Sequence, residues 1–384
     1  MTPQLPFPAE HPLEVPPLLR ALAAQGPVHR VRTRVGHEAL LVTGYEEVKK
    51  YLSDERLGRS HPDPANAART GESALFGGPR GGFETELEEH ARMRDRLQPH
   101  FSPKRMRAFT PRVEALTDQL IDAMTSPADL CEALALPLPI LVICELLGVP
   151  YEDRPQFREW SQQTSDVTNR ELSEQGLFAL YGYGQELVRR KRKEPGDDFI
   201  SRMIDTVSDD EIAMLSMAML FAGHETTVVA IELGALFLLE NRSQWELLVE
   251  RPELIQGAVD EMLRMPADAI GVIPRYARTD LDICGAAVRT GDLIVLDTTA
   301  ANHDAEAFPE PDRFDITREN AHHIAFGHGL RYCIGAPLAR IELRVVFSKL
   351  VERCPGLRLA MPAEQIERQP DKLTSGVDRL PVTF

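Results

Sequence analysis

Phe326-Gly327-His328-Gly329-Leu330-Arg331-Tyr332-Cys333-Ile334-Gly335 is the stretch on which the reading of this chain turns. Gly327 and Gly329 allow a tight turn that other residues disfavour, and Gly335 lets a bulky partner come close to Cys333. The helical pattern APLARIELRVVFSKL follows at once, with Pro337 suited to a first turn. The Cys333 sulfur is therefore expected to face a helix amino terminus with Arg331 beside it, two influences that lower a thiol pKa and favour the metal-binding thiolate. A buried structural cysteine would explain neither the glycines nor the arginine. Zinc is a second reading, because His322, His323, His328 and Cys333 cluster, but their spacing lacks the paired form of a structural zinc site. A third is a haem iron held by one axial thiolate.

Upstream, Ser208-Asp209-Asp210-Glu211 has the Ser-x-x-Glu form of a capping box, with carboxylates at the positive end of a helix. The pattern that follows runs to about Glu240, a rod of roughly 45 Å. It has no charge from Ile212 to Gly223, which predicts burial on most faces. Its interruption is Ala222-Gly223-His224-Glu225-Thr226-Thr227. Glycine costs helix stability, adjacent threonines are stiff, and their hydroxyls bond back to carbonyls one turn earlier. Two readings stand: a kinked core helix whose polar groups are satisfied locally, or a widened groove for a small polar ligand with a proton path through Glu225 and Thr226.

Around these two segments the chain is mostly helical with a small β part. GPVHRVRT and HEALLVTG alternate as strands do, and YEEVKKYLSD reads as a surface helix. His61 to Gly82 dissolves into Pro, Gly, Asn and Ser, a loop that is either a surface segment or a binding element. Helical spacing returns in LEEHARMRDRLQPHF, PRVEALTDQLIDAM, GLFALYGYGQELVRRKRKE and DDFISRMIDTV, and Leu130 to Val149 reads as buried helix, since Glu132, Pro137, Pro139 and Glu145 inside it argue against a membrane span. Past Pro274, YARTDLDICGAAV and LIVLDTTAA read as strands around tight turns, and the tail from Pro355 as irregular. The charge of −16, from 59 acidic and 43 basic side chains, argues against a nucleic-acid binder. Five scattered cysteines point to a reducing compartment, and the proline-rich amino terminus lacks the form of a signal peptide. The chain is read as soluble and cytoplasmic, with no membrane span.

The cysteine stretch resembles the cytochrome P450 signature Phe-x-x-Gly-x-Arg-x-Cys-x-Gly at every fixed position. Glu261-Met262-Leu263-Arg264 is similar to the family's Glu-x-x-Arg, and Pro311-Asp312-Arg313-Phe314 to its Pro-x-Arg-Phe. By resemblance Glu261, Arg264 and Arg313 form a buried structural network behind the haem. Ala222-Gly223-x-Glu225-Thr226-Thr227 resembles the family's oxygen-binding groove. The resemblance covers essentially the whole chain and implies one cytochrome P450 domain over residues 1–384. It places haem b between the long helix and the helix after the cysteine loop, with Cys333 as metal ligand. It also assigns His90, Arg94, Arg275 and Arg331 to the haem propionates, His328 to assist, and Phe326, Gly327, Gly335 and Ala222 to the cofactor's surroundings. His90 and Arg94 stand one helical turn apart, on one face.

The resemblance implies a monomeric monooxygenase in which Glu225 and Thr226 deliver protons while one oxygen atom of O2 enters a substrate by hydroxylation or epoxidation. A haem protein that binds or senses a ligand without turnover is the alternative. The chain ends some fifty residues after Cys333, so electrons are expected from a separate ferredoxin and ferredoxin reductase. Residues 92–107, with six Lys/Arg against one Asp, suggest its docking face, together with Arg340 and Arg344. The resemblance puts the substrate pocket under the His61–Gly82 loop, along 217–226, at 269–272 and near 373–377. Met217, Phe221, Ile270, Val272 and Thr374 are the candidate contacts, mostly apolar, which suits a hydrophobic small molecule from secondary metabolism.

Overall fold

The computed structural model describes residues 2–266, 271–319, 321–369 and 371–384. Its axis is the predicted long helix, Asp209–Glu240. The Ser208 side chain caps it by accepting a hydrogen bond from the Glu211 amide at 3.3 Å. The reciprocal half of the capping box is replaced: the Glu211 carboxylate pairs with Arg96 instead. This is the one helix among the described residues long and apolar enough to cross a membrane, and 67% of its most apolar window lies buried inside the protein. It is packed by Pro137–Leu147, Arg170–Lys193, Ile255–Arg264 and Ala336–Arg353. Gly234 makes part of that approach possible, since a Cβ there would press on Met262 and Phe347.

The apolar core forms one large cluster around this helix and two smaller ones around a five-stranded sheet. The sheet runs in the order Val28–Arg32, Glu38–Val42, Leu293–Asp297, Val272–Ala277 and Leu57–Gly58. Glu38–Val42 and Leu293–Asp297 pair in parallel, and the other neighbours are antiparallel. The protein is thus mainly α with small sheets.

Three local expectations are corrected. Leu130 to Val149 is not one helix: a π-helical turn at Cys131–Ala135 precedes Pro137–Leu147. Pro137 lacks the amide that would continue the ladder, and Gly148, at φ 81°, ends the second helix in the left-handed region. DDFISRMIDTV yields only the short helix Phe199–Met203. The tail contains the strands Arg358–Leu359 and Pro381–Thr383, which join Ala128–Asp129 in a three-stranded sheet.

The predicted ion network is present with one member changed. Arg264 and Glu261 are fully buried and joined by two bonds of 2.8 Å. Arg264 also donates to the carbonyls of Asn302 and Pro311 at 2.8 Å each. The third side chain is Arg318, whose Nε lies 3.2 Å from both Glu261 oxygens. Arg313 instead points outward to Glu310 and Asp315, with its side chain 58% exposed, and offers the network only its carbonyl. The Pro-x-Arg-Phe segment turns so that its backbone faces the buried pair, leaving the second cation to come from five residues later.

Removing one partner of a fully buried pair leaves an uncompensated charge. Arg264→Ala should therefore cost about 3–5 kcal/mol in urea unfolding, whereas Arg313→Ala should stay within about 0.5 kcal/mol. Equal losses would contradict this division of roles.

Candidate active site

The cysteine loop is shaped as its glycines require. Gly327 and Gly329 have φ of 73° and 68°, and a Cβ on Gly329 would collide with Ser53. The Cys333 amide closes the loop by donating to Phe326 O at 2.9 Å. A Cβ at Gly335 would stand 3.8 Å from the Cys333 sulfur, so glycine keeps the space beside the thiol open. Cys333 lines a cavity of about 1360 Å³ between this loop and the central helix. Burial raises the thiol pKa, while hydrogen bonds from the Gly335 and Ala336 amides and the charge of Arg94 act the other way. Arg331 is not among the groups that act on the thiol; its guanidinium is bound to the buried carboxylate of Glu86.

On the opposite wall, Phe221, Ala222, Gly223, Thr226 and Thr227 face the same cavity. The helix runs through Ala222–Thr227 without a break. Thr226 Oγ1 donates to Ala222 O at 2.8 Å, so the back-bonding read from the sequence is present and the hydroxyl is satisfied one turn earlier. Gly223 allows Ile143 to approach, since a Cβ would press against its Cδ1. Glu225 does not line the cavity. Burial raises its pKa, opposed by Lys372 and Arg158.

At one end of the cavity cations converge. His90, Arg275, His328, Arg331 and the unanticipated Arg59 all line it. Arg275 is 5% exposed, and burial with Arg59 and Arg331 nearby lowers its pKa to about 9. Burial, Arg331 and Arg94 push His90 down to about 4, and its Nδ1 has no hydrogen-bond partner. Arg94 lies outside the cavity lining and donates to Tyr332 O at 2.8 Å, holding the cysteine loop by its backbone. Among the described residues Glu86 is the carboxylate in this group. Burial alone would raise its pKa, but Ser60, the Arg59 amide and Arg331 outweigh that and hold it below the usual range. An electropositive pocket with an orphaned imidazole nitrogen, facing a cysteine across open space, fits haem with its two propionates.

The substrate residues divide. Phe221, Val272 and Thr374 line the cavity, as do Phe326 and Gly327 of the loop. Met217 does not; it is buried in the main core cluster, and Met219 lines the cavity in its stead. Ile270 lies outside the described residues. The His61–Gly82 loop is a wall of the cavity through Thr70, Gly71, Ser73, Phe76 and Gly77, and the Phe76 ring stands 6.4 Å from that of Phe221. Two contributors went unread. Residues 5–12 line the mouth, although their prolines gave no periodic signal. Glu342, on the helix after the cysteine loop, lines the cavity too; burial pushes its acid far above the usual range, and Oε2 has no partner.

Residues 243–377 match the family model described as Cytochrome P450. The chain belongs to the cytochrome P450 family: it is a haem-dependent monooxygenase that acts on small molecules and O2. It is 45% identical to pentalenolactone synthase of Streptomyces exfoliatus, with 100% of this chain and 99% of the relative covered. It is 37% identical to the mycinamicin IV hydroxylase/epoxidase of Micromonospora griseorubida, covering 99% and 98%. Among solved structures, substrate-free PimD, a pimaricin epoxidase, superposes with a TM-score of 0.88 at 38% identity, covering 100% of this chain and 99% of that one. The CYP105P1 complex with filipin I gives 0.92 at 35% identity, with the same coverage.

The loop bearing Thr374 is held by another acid of the central helix. Glu232 is 3% exposed and accepts a hydrogen bond from the Val377 amide at 3.2 Å, and burial pushes its pKa up to about 8. The folded protein thus holds a proton that the unfolded chain releases in the ordinary glutamate range. Stability from this group is fully present below that range and is lost as pH rises through about 8. Glu232→Gln keeps an acceptor for Val377 and removes the titration. Wild type should lose up to about 1.4 kcal/mol per pH unit relative to the variant within that window, measured by urea midpoints at a series of pH values. Parallel profiles would refute the assignment.

Proposed function

We propose that this cytochrome P450 inserts one oxygen atom from O2 into a hydrophobic intermediate of secondary metabolism, by hydroxylation or epoxidation, as a cytoplasmic monomer of one domain. The observation that carries the reading is the acid–alcohol pair on the central helix: Thr226 lines the same cavity as Cys333, and Glu225 is a half-buried acid next to it. Cys333 is the proposed metal ligand, and haem supplies the oxygen-activating redox chemistry, in which a thiolate favours O–O cleavage. His90, Arg275 and Arg331 hold the propionates, with His328 assisting, while Arg94, outside the cavity lining, supports them by holding the cysteine loop at Tyr332 O. Arg331 is oriented for this by Glu86.

Glu225 holds the proton and Thr226 passes it toward the cavity, a role its hydroxyl fulfils by exchanging the bond to Ala222 O for one to a ligand. Phe221, Val272 and Phe76 exclude water and offer apolar contact, while Thr374 supplies a hydroxyl that orients the substrate. The names of the relatives, a pentalenolactone synthase, a mycinamicin hydroxylase/epoxidase and a polyene macrolide epoxidase, support a tailoring role. Thr226→Ala should lower product by roughly tenfold or more while the electrons consumed appear as peroxide. Unchanged coupling of electrons to product would sink the proton-delivery assignment.

Electrons are proposed to come from an acidic ferredoxin served by its reductase. Arg92 and Arg96 are engaged with Glu88 and Glu211, and Arg340 with Asp260, so these cations are partly neutralised. Lys104, Arg105 and Arg107 are exposed, and Leu330 and Tyr332 of the cysteine loop are exposed apolar side chains, a mixture that suits a transient electron-transfer contact. Replacing Lys104, Arg105 and Arg107 by Gln should slow ferredoxin-driven reduction and flatten its salt dependence without altering reduction by dithionite. A rate and salt slope equal to wild type would exclude this face.

A further inference from the structure

Arg59 belongs to none of the motifs above, yet it stands at the junction of two of the cavity's walls. It precedes the His61–Gly82 loop and lines the cavity together with His90, Arg275 and Arg331. Its Nε is buried and has no hydrogen-bond partner. Its other end faces the loop: Nη2 donates to Leu75 O at 3.2 Å, and the guanidinium lies 5.3 Å from the centre of the Phe76 ring. Arg80 Nη1 donates to the same Leu75 carbonyl at 3.4 Å, and Phe76 in turn meets Phe221 of the central helix. One side chain therefore touches the tip of the loop that covers the substrate side and also lines the cationic end of the cavity, with donors beyond the one given to Leu75.

The electrostatics make this position costly without an anion. Burial, with Arg80 and Arg331 nearby, lowers the Arg59 pKa to about 10, and only Glu86 and Tyr276 act the other way. Glu86 is already committed to Arg278 and Arg331, and it touches residue 59 through the backbone amide, at 2.6 Å, not through the guanidinium. A half-buried guanidinium among like charges, with its nearest carboxylate shared among other cations, has room for a further anionic partner. Arg is also suited to serve two partners at once, since its planar fork presents donors in fixed, divergent directions.

The geometry points to Arg59 as an additional propionate-binding residue that also fastens the 70–77 segment, so that seating of the haem closes the loop over the substrate pocket. This rests on the propionate set proposed above and extends it to a residue that couples the cofactor to the substrate side. With a propionate on its guanidinium, Arg59 is neutralised and rigid, and its contacts with Leu75 and Phe76 hold the loop tip against Phe221. Without it, like-charge repulsion from Arg331 and Arg80 drives the guanidinium outward and the loop tip loosens.

The test compares wild type, Arg59→Gln, Arg59→Lys and Arg275→Gln holoenzymes in two measurements that do not depend on turnover. One is the rate of haem transfer to apomyoglobin; the other is amide hydrogen exchange in peptides covering 70–77, before and after haem removal. Arg59→Gln should release haem roughly tenfold faster and should show fast exchange at 70–77 even when loaded. Arg59→Lys should keep much of the haem affinity but not the loop protection, because a single ammonium cannot hold both partners. Arg275→Gln should release haem faster while its loaded form keeps a protected loop. Haem removal should raise exchange at 70–77 in wild type and add little in Arg59→Gln. Wild-type haem release by Arg59→Gln, or loop exchange in wild type that ignores haem removal, would overturn the inference. Failure of all four proteins to take up haem would instead overturn the haem reading itself.

Discussion

Around the carboxylate of Glu86, four guanidinium groups and an imidazole crowd one end of a cavity whose opposite wall is apolar. Glu86 receives Arg278 and Arg331 by ion pairs and the Arg59 and Ser60 amides by hydrogen bonds, so it ties together segments distant in sequence. Through Arg331 it also sets the position of the loop that carries Cys333. The arrangement is not neutral, and that is its use. Cations left in excess after one carboxylate is satisfied form a receptor for an anion, and burial strengthens the attraction because little water screens it. The cost is burial first and mutual repulsion second, and both lower the pKa values of His90, Arg59 and Arg275.

The acids near the cavity follow the opposite logic. Glu225, Glu232 and Glu342 lie on the two helices that flank it, and burial raises the pKa of each. Burial is the first cause in each case and works toward the neutral form, in which a carboxyl group donates as well as accepts. For Glu232 the acceptor function holds a backbone loop; for Glu225 the proton itself is the useful feature. A helix that reads as almost purely apolar over its first half thus carries its polar chemistry on a few side chains, whose charge is suppressed and not paired.

Much of this was legible in the sequence, and the failures have physical causes. The cysteine loop is legible because a thiol, two left-handed glycines and a helix start must occur at fixed spacing, and no tertiary context alters that. Glu261 and Arg264 are one helical turn apart and so meet by local geometry, whereas their third partner depends on how an irregular segment turns; Arg318 took the place expected for Arg313. Arg59 and Glu86 were invisible for the same reason. Each looks like an ordinary charged residue beside a loop or in a first helical turn, and only folding brings them to the haem end. Met217 and Met219 show the limit on a helix buried all round, where no amphipathic stripe says which side meets the cavity.

The parallel pairing of Glu38–Val42 with Leu293–Asp297 has a bearing on how the protein is made. Its partners lie near opposite ends of the chain, and the strand between them and the loop after residue 60 also waits for Val272–Ala277. The cost of closing so long a loop is met only when most of the chain exists, so this sheet cannot be completed early in synthesis. The helical core around Asp209–Glu240 has no such dependence on the first sixty residues. The central helix in turn packs on Ala336–Arg353, so the helical core also waits for the carboxy-terminal part of the chain, and the cavity between core and sheet is enclosed only once nearly all of the chain has been made.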